Sequence, residues 1–350
     1  MAETIKKNPL SFQLDPSDFL PASDEEKESL VVMRDSVGFW KDGMRRLRKN
    51  KIAMVSLAVI LVFAVFAYIV PVFYPYSYRE QIKYSENLAP FEYSEKEQAR
   101  IDAGEDVFPH VCGTDRSGRD YAARLMMGTR ISLSVGLVAS LLVLLIGATY
   151  GAVSAFLGGW VDIIMMRITD ILYTLPDVLL IILLATALKE PLANLAEQPG
   201  FQWMKTLGPN LISIFIVFAL LYWVSMARIT RSQVLVLKES EYVTAARALG
   251  AGSWRIISKH LLTNCIGTLI VTTTLQIPSS IFTESYMSFL GLGVAAPVPS
   301  LGSLATDAVK GMNTYPHLLI LPAVIISVII LAFNLFGDGL RDAFDPKLKS

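Results

Sequence analysis

The stretch that decides the fold is ISLSVGLVASLLVLLIGATYGAVSAFLGGWV, residues 131–161, which contains no charged residue. A helix needs roughly 20 mostly apolar residues to cross about 30 Å of hydrocarbon, and this stretch exceeds that length. Its long runs of Leu, Val and Ile do not show the alternation of an outer-membrane barrel strand. Helices satisfy their own backbone hydrogen bonds in lipid, so we predict a spanning helix over residues 133–157.

The composition of the whole chain agrees with a membrane protein. Of its 350 residues 53% are hydrophobic and only 18% are charged, whereas a soluble domain carries about 25% charge. The formal net charge of zero argues against a nucleic-acid-binding protein, which would show a basic excess. Two cysteines are too few for a disulfide scaffold or a four-cysteine zinc module. We therefore predict an all-α polytopic membrane protein.

Five further stretches are long and apolar enough to cross a bilayer. The six predicted transmembrane helices are 52–73, 133–157, 168–188, 208–227, 265–290 and 318–337. We expect the first helix to remain as an anchor, since polar residues precede it and no cleavage pattern follows it.

The distribution of Lys and Arg predicts the orientation of these helices. With both termini inside, the inner segments hold 20 Lys and Arg and the outer segments hold 11. The cluster Arg45, Arg46, Arg48, Lys49 and Lys51 directly precedes the first helix. Because basic residues are retained on the cytoplasmic side, we predict a chain with its N- and C-termini inside.

The predicted helices divide the chain into a core and an appendage. The core covers 131–338 and includes a cytoplasmic loop at 228–263, while 52–73 and an extracellular insert at 74–130 precede it. The inner tails are 1–51, with a loosely ordered part at 1–35, and 339–350. Residues 36–51 place aromatic side chains among basic ones, which is typical of an interfacial helix; a plain stop of snorkelling basic residues is the alternative.

The sequence offers no catalytic, metal-binding or cofactor-binding constellation. It lacks a GxxxxGK[ST] phosphate loop, an HExxH motif and a GxSxG motif. Its three His are far apart, and Cys112 and Cys265 are predicted on opposite sides of the membrane. Asp170 and Asp177 lie on one helix, so they cannot form the facing dyad of an intramembrane aspartyl protease.

The cytoplasmic loop contains the string EYVTAARALGAGSWRIISKHLLTN, residues 241–264. Tyr242, Ala245 and Ala246, and Leu249 repeat at helical spacing and predict a short helix with a narrow apolar face. Gly250 would end it, and Ser253 would cap the next helix. Such a helix below the bilayer is suited to docking into a groove on a cytosolic protein, although an ordinary connector is the alternative.

Polar residues also occur within the predicted transmembrane helices. Thr273, Gln276, Ser280 and Glu284 form one stripe on the fifth helix, beside a kink expected at Pro278. We interpret this stripe as lining a transport pathway, with interhelical hydrogen bonding to a partner as the alternative. In the third helix we expect Arg167 to pair with Asp170, and we assign that face, which continues through Tyr173 and Asp177, a structural role.

The loop string resembles the cytoplasmic loop of bacterial ABC-importer permeases, in which two Ala precede a Gly. Thr244 and Thr263 replace the Glu and Pro of the general motif, but 242–251 resembles the version found in peptide importers. Three further stretches are similar to the same branch. They are GTDRSGRD at 113–120 followed by GTRISL at 128–133, SYMSFLGLG at 285–293 and GDGLRDAFDP at 337–346. Together they resemble the C-type permease of oligopeptide and dipeptide ABC importers.

The resemblance implies a type I (MetI-like) permease core and a transmembrane subunit that imports oligopeptides across the cytoplasmic membrane of a bacterium. It implies three kinds of partner besides membrane lipid: a second permease, two cytosolic ATPases and an extracellular or lipid-anchored peptide-binding protein. ATP and Mg would be bound by the ATPases and not by this chain. Tyr242, Ala245, Ala246, Leu249 and Gly250 would couple the permease to them.

Three other functions stay open at the level of the sequence. An importer of dipeptides, nickel or glutathione would share the same motifs. A secondary carrier or channel that works alone would leave the 242–264 motif unexplained. A membrane-embedded enzyme would need a catalytic constellation, which the sequence does not offer.

Overall fold

The computed structural model describes residues 38–201, 203–204, 208–294 and 297–344. Over these residues the regular structure is helical, and six helical segments are long and apolar enough to span a membrane. They are Lys51–Phe73, Tyr121–Leu157, Asp177–Glu197, Pro209–Leu237, Ser253–Phe289 and His317–Phe344, here called the first to sixth spans. The predicted all-α polytopic fold with six transmembrane helices is thus confirmed.

The helices are numbered α1 to α14 along the chain, and several spans consist of two or more of them. The bounds are α1 Phe39–Lys49, α2 Lys51–Tyr68, α3 Val70–Phe73, α4 Glu95–Asp102, α5 Tyr121–Leu157, α6 Gly159–Thr174, α7 Asp177–Glu197, α8 Pro209–Leu221, α9 Trp223–Leu237, α10 Glu241–Ala248, α11 Ser253–Arg255, α12 Leu262–Phe289, α13 Leu301–Val309 and α14 His317–Phe344. A π-helical segment, Ile256–Leu261, joins α11 to α12.

The second span is the central helix of the bundle, because the fourth and fifth spans both pack against it. Small residues allow this packing. A Cβ added at Gly147 would lie 2.6 Å from Met226 Cβ, and a Cβ at Gly151 would clash with the backbone of Ala227. Glycines one turn apart let two helix backbones approach closely in a membrane. The absence of side chains at 147 and 151 therefore sets the distance between the second and fourth spans.

The sixth span packs against the fifth and the first, and its C-terminal end joins a buried cluster. Leu47 and Ala53 are buried in one cluster with Leu340 and Phe344. The helix α14 consequently continues to Phe344, whereas we predicted a tail from residue 339. Burial of these apolar side chains explains why the helix extends beyond its predicted end. The predicted loose tail at 1–35 lies outside the described residues.

The outer insert is folded around a buried histidine. Nδ1 of His110 lies 2.7 Å from Asp120 Oδ2, its Nε2 lies 3.1 Å from Glu97 Oε1, and Tyr76 stacks on its ring. Burial alone would lower the pKa of His110, but hydrogen bonds to Asp120 and Glu97 outweigh burial and raise it. The insert is therefore a folded segment with ionisable side chains buried at its centre.

Two predicted boundaries differ from the structure. The predicted third helix, 168–188, contains a break at Leu175 and Pro176 between α6 and α7. Pro176 has no N–H to donate to the carbonyl of Leu172, which interrupts the helix. In the predicted loop 228–263, α9 continues to Leu237, so the irregular part of that loop is shorter than expected.

Candidate functional site

Two adjoining cavities open beside the break between α6 and α7. One, of about 520 Å³, is lined by Leu172, Asp177 and Tyr222 and by Gln276 of the fifth span. The other, of about 550 Å³, shares Asp177 and Tyr222 and extends to the fifth and sixth spans. We call both together the midplane groove. Its polar lining includes Tyr173, Thr174, Asp177, Tyr222, Ser225, Gln276, Ser279, Thr283, Tyr286 and Asn334.

The depth of the groove in the membrane follows from the spans that line it. Tyr222 lies 13 residues after the start and 15 before the end of the fourth span, Pro209–Leu237. Gln276 lies 14 residues after the start and 13 before the end of α12, Leu262–Phe289. Both residues lie near the middle of their helices, so the groove, which includes Asp177 at the start of α7, lies near the middle of the bilayer. Interrupted helices at this depth occur where they face protein or a water-filled cavity, since lipid cannot satisfy the free backbone groups.

The structure divides the predicted polar stripe of the fifth span into two parts. Gln276 is half-buried and lines the groove, and Thr273 is half-buried with its hydroxyl donating to the carbonyl of Leu269. Ser280 and Glu284 are fully buried within the chain. A side chain with no exposed surface does not line a pathway in this conformation. The structure therefore differs from our expectation for Ser280 and Glu284.

Glu284 instead joins the second span, the fifth span and α13. Its carboxylate accepts hydrogen bonds of 2.8 Å from Ser132 Oγ and from Ser288 Oγ. Ser300, which caps α13, lies 3.1 Å from Ser288 through the two hydroxyls. Helical spacing alone did not predict which residues of the stripe would be covered, because the covering groups come from the second span and from α13.

The helix α6 is held to the fourth span by two ion pairs. Asp162 accepts two hydrogen bonds from Arg231, of 2.6 and 2.5 Å. These bonds are the main reason why the pKa of Asp162 lies below its usual value. Asp170 pairs with Arg228 at 2.9 Å and also with Arg167, 3.8 Å away, as the sequence predicted for Arg167. The Arg228 partner was not predicted, because it comes from a distant part of the chain.

The predicted docking helix is α10, Glu241–Ala248, with Leu249 and Gly250 directly after it. Tyr242 and Leu249 are 40% and 88% exposed. Ala245 is exposed and Ala246 is half-buried, so the predicted apolar face is open. Gly250 ends this region with a φ of +80°, a conformation that glycine adopts without strain. The part of the chain described by the structure therefore leaves this face uncovered.

A side chain that the sequence analysis did not single out anchors α10. Val243 is fully buried among Ile256, Ile257 and Leu261 of the π-helical segment. Arg247 lies over the ring of Phe156 at 5.1 Å. The predicted cap at Ser253 is wrong: Gly252 precedes the helix, and no side chain caps it. The π-helical segment turns three apolar side chains inward, and their packing around Val243 attaches α10 to the bundle.

Two family models match the chain. The model for the binding-protein-dependent transport system inner membrane component matches residues 144–350. The model for the N-terminal TM domain of oligopeptide transport permease C matches residues 38–90. The first match covers more than half of the chain and includes both the midplane groove and α10.

Individual relatives are similar over nearly their full length. The oligopeptide transport system permease protein OppC of Bacillus subtilis is 39% identical over 95% of this chain and 97% of the relative. The dipeptide transport system permease protein DppC of the same organism is 39% identical over 99% of this chain and 98% of the relative. The glutathione transport system permease protein GsiD of Pectobacterium atrosepticum is 35% identical over 92% of this chain and 96% of the relative.

Proposed function

Because the chain belongs to the family of binding-protein-dependent transport system inner membrane components, we propose that it imports oligopeptides as one permease subunit of an ATP-driven transporter. It is a multi-pass membrane protein and a transport permease, not an enzyme. Two findings together carry the proposal. The chain is similar to oligopeptide and dipeptide transport permeases, and its structure has a polar groove at mid-membrane depth.

The groove supports a second permease as a partner. Asp177 is exposed in the isolated chain, and a carboxylate at mid-membrane depth is costly in contact with lipid. A homologous subunit across the groove would remove this contact and enclose a pathway between the two chains. The lining combines backbone, hydroxyl and amide groups, which are suited to peptides of varied sequence because they pair with the peptide backbone.

The exposed face of α10 supports coupling to two cytosolic ATPases. In this proposal Tyr242, Ala245, Ala246, Leu249 and Gly250 contact the ATPases, which bind ATP and Mg. Apolar side chains such as Leu249, 88% exposed, have a physical reason to be covered by a partner. Because Val243 fixes α10 to the second and fifth spans, a movement imposed on α10 would be transmitted to the bundle.

An extracellular peptide-binding protein would deliver the substrate to the outer side. We place the insert around His110 on that side, with the N- and C-termini inside the cytoplasm of a bacterium. The distribution of 20 inner and 11 outer basic residues supports this orientation.

The proposal is tested with the complete transporter in proteoliposomes, including the second permease, the ATPases and the binding protein. We expect ATP-dependent accumulation of a labelled tripeptide, and loss of accumulation when this chain is omitted. Competition by unlabelled dipeptide and glutathione separates the substrate alternatives. Failure of the labelled tripeptide to accumulate would contradict the proposal.

A further inference from the structure

We infer that Asp177, with Gln276 and Tyr222, forms a binding site for a positively charged amino group of the passing peptide. The inference rests on the proposed function, and it differs from our expectation that the Asp177 face has a structural role. Asp177 is exposed to the midplane groove, and it forms no ion pair with any residue that the structure describes.

The other carboxylates of the same region are neutralised. Asp162 is bound by Arg231, and Asp170 by Arg228 and Arg167. Tyr173 lies one turn after Asp170 on α6. The Cζ atom of Arg228 lies 4.4 Å from the centre of the Tyr173 ring, so Arg228 contacts both side chains. The available cations are therefore engaged below the groove, and the carboxylate near the middle of the membrane is left without one. An ionised carboxylate at this depth is costly unless a cation or water reaches it, so the groove favours a cationic ligand.

The geometry of Asp177 leaves part of its carboxylate available. Oδ1 accepts a hydrogen bond of 2.8 Å from the N–H of Val178, which fixes the side chain at the start of α7. Oδ2 has no partner among the described residues. An ammonium group has three donors, and it could bond Oδ2 and other acceptors around the cavity at the same time.

Three neighbouring acceptors complete the site. The side chain of Gln276 lines the same cavity, and within the described residues it makes no hydrogen bond. Tyr222 lines both cavities, and its hydroxyl lies 3.2 Å from Thr283 Oγ1. The Leu172 carbonyl lacks its helical donor because residue 176 is proline, and it lies at the negative end of the α6 dipole. Gln276 and Tyr222 can accept from an ammonium group but can also donate, so the preference for an ammonium group over an anion comes from the Asp177 carboxylate and the Leu172 carbonyl, which only accept.

A peptide offers this chemistry at its N-terminus and at lysine side chains. The experiment uses the complete transporter in proteoliposomes, with three tripeptides that differ only in a central Lys, norleucine or Glu. Each is presented at a concentration that saturates the binding protein, so that the rate reports passage through the permease. An N-acetylated version of the norleucine tripeptide that the binding protein accepts has neither a terminal nor a side-chain ammonium group, so it serves as the peptide without a cation.

We expect Asp177→Asn to lower the ratio of the Lys-peptide rate to the Glu-peptide rate about tenfold, because a charge-assisted hydrogen bond is lost. Asp177→Glu should restore part of the ratio. The matched control is Glu190→Gln, which makes the same charge change near the outer end of α7 and away from the groove. The control should leave the ratio unchanged.

The outcomes separate the inference from the proposed function. If Asp177→Asn slows all peptides with a free N-terminus and spares the acetylated peptide, the terminal ammonium is the ligand and the inference stands. Equal slowing of all peptides, acetylated included, or no change at all would overturn it. A wild-type transporter that moves no peptide would instead contradict the proposed function.

Discussion

At the scale of the residue, Glu284 is a buried carboxylate whose hydrogen bonds stabilise the packing of the second span, the fifth span and α13. Glu284→Gln keeps a side chain of the same shape that can accept from one serine and donate to the other. We expect this variant to assemble and transport normally. Glu284→Ala leaves Ser132 and Ser288 without their partner and opens a cavity, which should lower the free energy of unfolding by roughly 3 kcal/mol.

The measurement is thermal unfolding of the purified transporter in detergent, followed by peptide uptake in proteoliposomes. A matched control is Glu197→Ala, because Glu197 is an exposed carboxylate outside the groove. Loss of uptake in Glu284→Gln with an unchanged unfolding temperature would contradict the structural role. It would support our original assignment of Glu284 to the pathway.

His110 makes the stability of the outer insert depend on pH. The pKa of His110 is raised, so its stabilising contribution is complete below its ordinary value and is lost as the pH rises through the raised value. The pKa of Glu97 is lowered: burial would raise it, but hydrogen bonds from Ser94 and His110 outweigh burial. Its contribution is lost only as the pH falls through that lowered value. The insert should thus be most stable between the two values.

We expect amide hydrogen exchange in the insert, corrected for the intrinsic pH dependence, to be faster at about pH 9 than at about pH 6. His110→Gln should remove most of this difference, because glutamine does not titrate. Tyr76 does not contribute in this range, since burial is the main cause that raises its pKa to about 12. Exchange in the second span serves as the internal control. Equal pH dependence in the variant and the wild type would count against the role of His110.

The comparison of Asp177 with Glu284 shows what the sequence could predict at this scale. Both carboxylates were recognised as unusual because they lie within apolar segments. The structure buries Glu284 and leaves Asp177 exposed, and neither could be predicted, since helical spacing gives the face of a side chain but not the neighbour that covers it. The three serines that bind or surround Glu284 come from the second span, the fifth span and the α13 cap, and no local pattern connects them.

At the scale of the element, the break before α7 should be required for transport but not for folding. Pro176→Ala restores an N–H to the position that faces the Leu172 carbonyl, so α6 and α7 can join. We expect the transporter to become more stable, by up to about 3 kcal/mol, and uptake to fall because the groove narrows. Pro191→Ala, also within α7 but outside the groove lining, should leave uptake unchanged.

Unfolding temperature and initial uptake rate are the measurements for both proline variants. Should Pro176→Ala transport peptide at the wild-type rate, the open break would have no function in the pathway.

The break itself could be anticipated from Pro176. The cavity beside it could not, since its other wall belongs to the fifth and sixth spans.

The docking helix α10 gives a second prediction at this scale. Leu249→Asp alters a side chain that is 88% exposed, so the isolated permease should fold normally. We expect peptide-stimulated ATP hydrolysis and uptake to fall at least about tenfold, because a charge in an apolar interface is costly. Val236→Asp, at a position 74% exposed on α9, is the matched control and should preserve both activities.

Wild-type activity in Leu249→Asp would show that this face does not contact the ATPases.

The sequence predicted α10 to within one residue at each end, because the apolar spacing and Gly250 are local features. It did not predict the π-helical segment or the burial of Val243. Both depend on packing against the ends of distant spans.

At the scale of the whole molecule, the six spans could be predicted because length and hydropathy are properties of the chain alone. The orientation is also a property of the chain, through its basic residues, and it can be tested without a partner. We expect Ser117, exposed in the outer insert, and Ser253, exposed after α10, to lie on opposite sides of the membrane. Each is replaced by Cys in a Cys112→Ser background, since Cys112 is partly exposed.

A membrane-impermeant maleimide added to intact cells, or to spheroplasts where an outer membrane is present, should label Ser117→Cys and not Ser253→Cys. After permeabilisation both should react, which shows that the inner position is reachable. Cys265 is buried and should stay silent in both conditions. Labelling of Ser253→Cys before permeabilisation would reverse the orientation. It would also place α10 outside the cell, where no cytosolic ATPase could bind it. The experiment therefore tests both the orientation predicted from the basic residues and the proposed contact between α10 and the ATPases.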